Sequence, residues 1–182
     1  MYNISIAIKE KALKKIQNFI ELAPGEISGL GTISKQYNHF IIEDVFLFKQ
    51  QNTSASTTLD VEEITAMLVG KMQKNEDVSN IKLWWHSHAN MGVFWSGTDD
   101  STINNFDNKE YLISLVSNKE GQILCRFDLY HPIRLTIDDI KYTIIFDEEN
   151  DLKEECKKEY DEKITTPKLE VVKWVKEDFG DN

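Results

Sequence analysis

Apolar positions along this chain switch between a period of about two and a period of about 3.6, and the switches mark its elements. Residues 4–8 read as a short strand, and residues 11–22 as a helix with Leu13, Ile16, Phe19 and Ile20 on one face. Pro24 and Gly25 stop that helix. Residues 26–34 form a glycine-interrupted strand and 40–48 a second, joined by a turn at Tyr37, Asn38 and His39. A polar loop is expected over 49–58, with the Ser/Thr run 53–58 as plain surface. Asp60 with Glu63 then opens a helix that packs by Val61, Ile64, Leu68 and Met72.

The second half repeats the alternation. Residues 81–88 are an apolar strand, 89–98 a loop and 99–106 a short helix with acids in its first turn. Strands at 111–117 and 122–130 flank a turn at 118–121, and 133–146 continues in extended or mixed form. Two acidic or amphipathic helices, separated by Pro167, finish the chain; the last carries Val171, Trp174, Val175 and Phe179 as a stripe that completes the core. Neighbouring strands joined by short turns predict an α/β (α+β) chain with a mixed, largely antiparallel sheet flanked by helices. At 182 residues one domain with one core is expected, over 1–146, with 147–182 as an acidic helical extension packed on it.

Composition narrows the class. Hydrophobic residues at 41% and charged ones at 29% are those of a folded globular chain. No apolar run is long enough for a bilayer, and the first residues lack a secretory signal's apolar stretch, so a cytoplasmic protein without a membrane partner is expected. The net charge of -10, concentrated in 147–163, repels phosphate backbones and argues against nucleic acid. Cys125 and Cys156 form no CxxC pair, so neither a disulfide framework nor a thiolate metal site follows, and both read as inert thiols. His39 and His131 each stand alone and read as surface or hydrogen-bonded residues.

The chemistry gathers at the end of the strand IKLWWHSH. His86 and His88 lie two residues apart, so both imidazoles point to one face, together with Trp84, while Trp85 faces the core. Asp99 follows at the predicted start of the next helix, where a chain reversal returns its carboxylate beside them. Two imidazoles and a carboxylate with a position left open are the ligand set of a catalytic zinc site, although the set also accepts iron, cobalt or manganese. Hydrolysis at such a site needs a neighbouring base, and Glu26, at the head of a strand loosened by Gly29 and Gly31, is the candidate. Ser96, three residues before Asp99, is placed to donate to the oxyanion of a tetrahedral intermediate.

His86-Ser87-His88, seven residues, Ser96, two residues and Asp99, with the upstream Glu26 in GEISGLG, resembles the JAMM motif of the JAB/MPN metalloprotease domain. The resemblance runs in element order over roughly residues 1–135 and suits a minimal prokaryotic or phage-type member. It implies a cytidine-deaminase-like JAB/MPN fold, zinc on His86, His88 and Asp99, Glu26 as general base and Ser96 as oxyanion donor. It also implies an isopeptidase or peptidase, deubiquitinase-like, acting on the C-terminal tail of a ubiquitin-like or sulfur-carrier-like protein. The alternative is a non-catalytic MPN-type interaction scaffold, against which an intact motif weighs. The family commonly has proline straight after the second histidine, where this chain has Ala89, and the loop that follows carries Met91, Val93, Phe94 and Trp95. Those apolar side chains either grip a substrate tail or tuck into the core, and substrate preference does not carry over through them.

Overall fold

A computed structural model describes residues 4–52, 57–107, 110–146 and 153–165. In chain order the elements are β1 (Ser5–Lys9), α1 (Glu10–Leu22), β2 (Ser28–Gln36), β3 (His39–Leu47), β4 (Gln50–Asn52), β5 (Thr57–Leu59), α2 (Val61–Gln73), β6 (Ile81–Ser87), α3 (Gly97–Asn104), β7 (Tyr111–Ser117), β8 (Ile123–Leu129), β9 (Leu135–Ile137), β10 (Tyr142–Ile145), α4 (Lys153–Lys163) and β11 (Ile164–Thr165). Eight strands make one sheet in the order β10-β1-β3-β2-β6-β7-β8-β9, and β11-β4-β5 make a small second one. The chain is therefore α+β with a mixed sheet. Within the large sheet β1 runs parallel to β10 and β3, and β6 parallel to β7, while the remaining pairs are antiparallel. The parallel pairs arise because α1 and β2 separate β1 from β3, and α3 separates β6 from β7.

Side-chain alternation divides the apolar residues between two faces, so the expected single core is two clusters on opposite sides of the sheet. Ile16, Phe19 and Ile20 of α1 pack with Leu83, Trp85, Ile113, Leu115 and Cys156 on one side. Leu30, Trp84, Leu112 and Ile103 pack on the other, with Ile64, Met67 and Leu68 of α2 against them. Of the predicted packing face of α2, Ile64 and Leu68 pack as expected and Val61 and Met72 are corrected to exposed, because the face that meets the sheet is turned toward Met67. Its N-cap is as expected, Asp60 accepting from the N–H groups of Glu62 and Glu63.

The loop expected over 49–58 is also revised, since Gln50–Asn52 and Thr57–Leu59 pair as a short hairpin; residues 53–56 of the Ser/Thr run lie outside the described residues. Buried Gln50 joins this hairpin to the head of β2, accepting from Ser28 N–H at 3.0 Å and donating to Ser28 C=O at 2.9 Å. At the other end of the chain β11 pairs with β4, and Cys156 of α4 is buried in the cluster built on α1. The last predicted stripe, Val171 to Phe179, lies outside the described residues. Burial pushes the Cys125 thiol up to about 12 and also raises Cys156, which keeps both protonated and inert. Among the described residues no helix is long and apolar enough to cross a membrane.

Gly29 is where the sheet admits Trp85. A Cβ at this position would lie 2.1 Å from the Phe46 carbonyl oxygen and 2.7 Å from Trp85 Nε1. Gly29→Ala therefore forces β2 away from both neighbours, and its unfolding midpoint in urea should fall by the equivalent of about 3 kcal/mol.

Candidate metal centre

The antiparallel register between β2 and β6 sets Ser28 opposite His86 and Gly29 opposite Trp85. Beyond the ladder, Ser87 N–H donates to Ile27 C=O at 2.8 Å, and Ile27 N–H donates to Ser87 Oγ at 3.1 Å. Continued by two residues, that register brings Glu26 beside His88, on the face shared by Ser28 and His86. On its other edge β6 is held by β7, and His88 N–H donates to Ser117 C=O at 2.9 Å, so the second histidine is fixed just past the strand end.

Asp99 arrives from α3. The helix starts at Gly97, two residues before the predicted start, with Ser96 as its N-cap. Ser96 Oγ accepts from Asp99 N–H at 3.2 Å, and Ser96 N–H donates to Asp99 Oδ2 at 2.7 Å, a closed capping box. Because Ser96 Oγ accepts in this cap, its own proton is free to be donated elsewhere. The Ser-x-x-Asp spacing was the sequence signal for this box, and it moves the helix start back to where Asp99 is the third helical residue.

His86, His88 and Asp99 are all buried, and one donor atom from each lies within 4.8 Å of the others. The two Nε2 atoms are 3.3 Å apart, His86 Nε2 is 3.1 Å from Asp99 Oδ1, and His88 Nε2 is 3.7 Å from Asp99 Oδ2. Tetrahedral coordination with bonds of about 2.0–2.1 Å separates ligand atoms by about 3.3–3.4 Å; the two imidazole nitrogens stand at that spacing, and each approaches a different oxygen of the Asp99 carboxylate. His88 Nδ1 lies 3.0 Å from the Gly92 carbonyl oxygen, which can only accept, so Nδ1 carries a proton and Nε2 is the ring atom turned toward the other ligands. Burial lowers the pKa of His86, partly opposed by its bond to Asp99, and keeps the imidazole neutral. Burial would raise Asp99, but the contact with His86 and both bonds with Ser96 outweigh it and hold the carboxyl well below the usual range. Two imidazoles and an ionised carboxylate converge in a buried place, and this group can hold a metal ion.

Burial raises the pKa of Glu26, His88 opposes this and Asp99 adds to it. The continued β2–β6 register brings the carboxyl to the side of the ligands, and its raised pKa makes it more basic than an exposed glutamate.

Aromatic side chains wall the group. Trp84 stacks on His86 at 4.4 Å with an interplanar angle of 17°, on the expected face, while Trp85 is buried on the other side against Phe19. Phe94 meets His88 edge-on at 4.6 Å, and the Trp95 ring lies 5.9 Å from that of His86. The loop's side chains thus divide: Trp95 packs against the α3-side core, whereas Met91 and Phe94 remain exposed beside the ligands. Ala89 has φ 46, a left-handed conformation that proline, fixed near about −65°, does not adopt. The chain therefore leaves His88 by a turn closed to proline, and Ala89 makes it in a conformation that costs any residue with a Cβ. Asn118 ties this loop down, donating to Met91 C=O at 2.9 Å, and Lys119 N–H donates to Ala89 C=O at 2.9 Å. Sequence reasoning missed Asn118 and the Gly92 carbonyl, since neither contact has a local spacing rule.

The histidines set aside stay apart from this group: His39 Nδ1 bonds Ser5 Oγ, and His131 Nε2 lies 3.0 Å from Asp107 C=O. No protein-family model matches the chain, and no curated protein matches it either.

Proposed function

We propose that this chain is a zinc-dependent metallopeptidase of the JAMM type, with the JAB/MPN fold, that hydrolyses a peptide or isopeptide bond at the C-terminal tail of a ubiquitin-like or sulfur-carrier-like protein. The observation that carries this reading is the convergence of His86, His88 and Asp99 on one buried place, with Glu26 brought beside His88 by the β2–β6 register. Two nitrogens and one oxygen that leave a coordination position open suit catalytic zinc. When bound, zinc would polarise the scissile carbonyl and acidify the attacking water.

The protein's own groups do the rest. Glu26 takes the proton from the water and delivers it to the leaving amine. Ser96 Oγ donates its unspent proton to the oxyanion as the carbonyl carbon becomes tetrahedral. His88, locked by Gly92, and Asp99, locked by Ser96, keep the ligand atoms from rearranging between turnovers. Exposed Met91 and Phe94 offer an apolar wall for the tail. The two free, buried cysteines support a cytoplasmic setting.

The test is release of a reporter amine joined through an amide to the C-terminus of such carrier proteins. Release should require zinc, stop when 1,10-phenanthroline removes the metal, and return when zinc is restored. No release from any of these substrates by zinc-loaded protein would overturn the reading and favour the scaffold.

A further inference from the structure

Arg126 lies on β8, in the row of the sheet that runs Leu30, Trp84, Ser114, Arg126. Its guanidinium is buried beneath α3 and forms a fork with Asp128, Nε donating to Oδ2 at 2.8 Å and Nη2 to Oδ1 at 3.0 Å. Asp128 is fully buried and also accepts from Thr136 Oγ1 at 2.7 Å, so this pair is enough to compensate the buried charge. A second contact serves no such need. Nη1 donates to Asp100 Oδ1 at 2.6 Å, although the Asp100 side chain is 52% exposed and has access to water. The guanidinium also lies 5.7 Å from the centre of the Trp95 ring. Asp100 and Trp95 bracket the capping box that carries Asp99.

Helix α3 has eight residues, and its apolar anchor is at the far end, where Ile103 is buried and Tyr130 Oη donates to Ile103 C=O at 2.6 Å. The exposed Gly97 and Thr98 give its first turn no apolar hold on the sheet. We propose that Arg126 is a positioning residue for the metal centre: by holding Asp100 and Trp95 it fixes the first turn of α3 and thereby the place of the Asp99 carboxylate relative to the two imidazoles. This rests on the reading of His86, His88 and Asp99 as metal ligands. Groups that orient a ligand without touching the metal typically govern about tenfold to a hundredfold of its affinity.

Removing Arg126 itself would strand the buried Asp128 and endanger folding. Asp100→Ala instead cuts only the tie to α3. Asp100→Asn removes the charge but keeps an acceptor for Nη1, and Asp138→Ala removes another carboxylate 3.5 Å from the same guanidinium without touching α3. Zinc affinity is read by competition with a chromophoric chelator, beside the thermal midpoint of each metal-free protein. Asp100→Ala should bind zinc about tenfold more weakly at an unchanged midpoint, Asp100→Asn should lie closer to wild type, and Asp138→Ala should match it. Unchanged affinity in Asp100→Ala, or equal losses in Asp100→Ala and Asp100→Asn, would overturn the proposal. Should wild type itself bind no zinc, the reading of the ligands fails, and metal-free hydrogen exchange then decides the role of Arg126. Faster exchange at the Asp99 and Asp100 amides in Asp100→Ala, absent in Asp138→Ala, would uphold it; unchanged exchange would sink it.

Discussion

Glu26→Gln should lower turnover by about a thousandfold, the scale on which a positioned general base contributes, while zinc affinity stays within a few-fold of wild type. Glutamine keeps the size and the hydrogen bonding of the side chain but cannot accept the proton. Metal retention separates a base from a ligand, because a lost ligand would take the zinc with it. The pH dependence gives a second check. A base works only when ionised, and burial raises the Glu26 pKa above its ordinary 4.5. Activity of the zinc-loaded protein should therefore fall as pH drops through the Glu26 pKa, an acid limb that Glu26→Gln should lack. Full activity in Glu26→Gln, or loss of its metal, would remove Glu26 from the base role.

His88→Ala should abolish zinc binding, from about one ion per chain to essentially none by mass spectrometry of the purified protein. It deletes one of three ligand atoms and, with it, the link from the centre to Gly92 and the packing of Phe94. A thermodynamic signature should accompany this. With zinc at a hundred times its Kd the native state gains about 2.7 kcal/mol, which for a chain of this size raises the midpoint by about 5–10 °C. Wild type should show that shift and His88→Ala should not. A wild-type protein that takes up no metal even when zinc is supplied would turn the argument toward an interaction scaffold.

Both experiments test residues that were legible before any coordinates, and the reason is local geometry. His86 and His88 share a face because strand side chains alternate, so their pairing needed only the strand. Asp99 was legible from its place at the start of the next helix, whereas the loop path that returns it beside the histidines depends on the tertiary structure. Glu26 was legible as a candidate from its place at the head of a strand; what sets it beside His88 is the pairing of β2 with β6, across sixty residues of chain.

What lay beyond the sequence has a common cause. The packing face of α2 is right at Ile64 and Leu68 but not at Val61 and Met72, which fit the helical period as well as Met67 does; only the sheet beneath decides between them. The two-sided core follows from alternating side chains covered on both faces of the sheet, and which helix covers which face is not specified by any local pattern. Arg126, Asn118 and the Gly92 carbonyl act through single contacts between distant segments. The sequence by itself thus determined the helices and the main strands, the candidate ligands and the acidic character, since each depends on residues a few positions apart. Tertiary structure alone decided the sheet order, the face each helix buries and the groups that hold the ligands in place, because those depend on which distant surfaces meet.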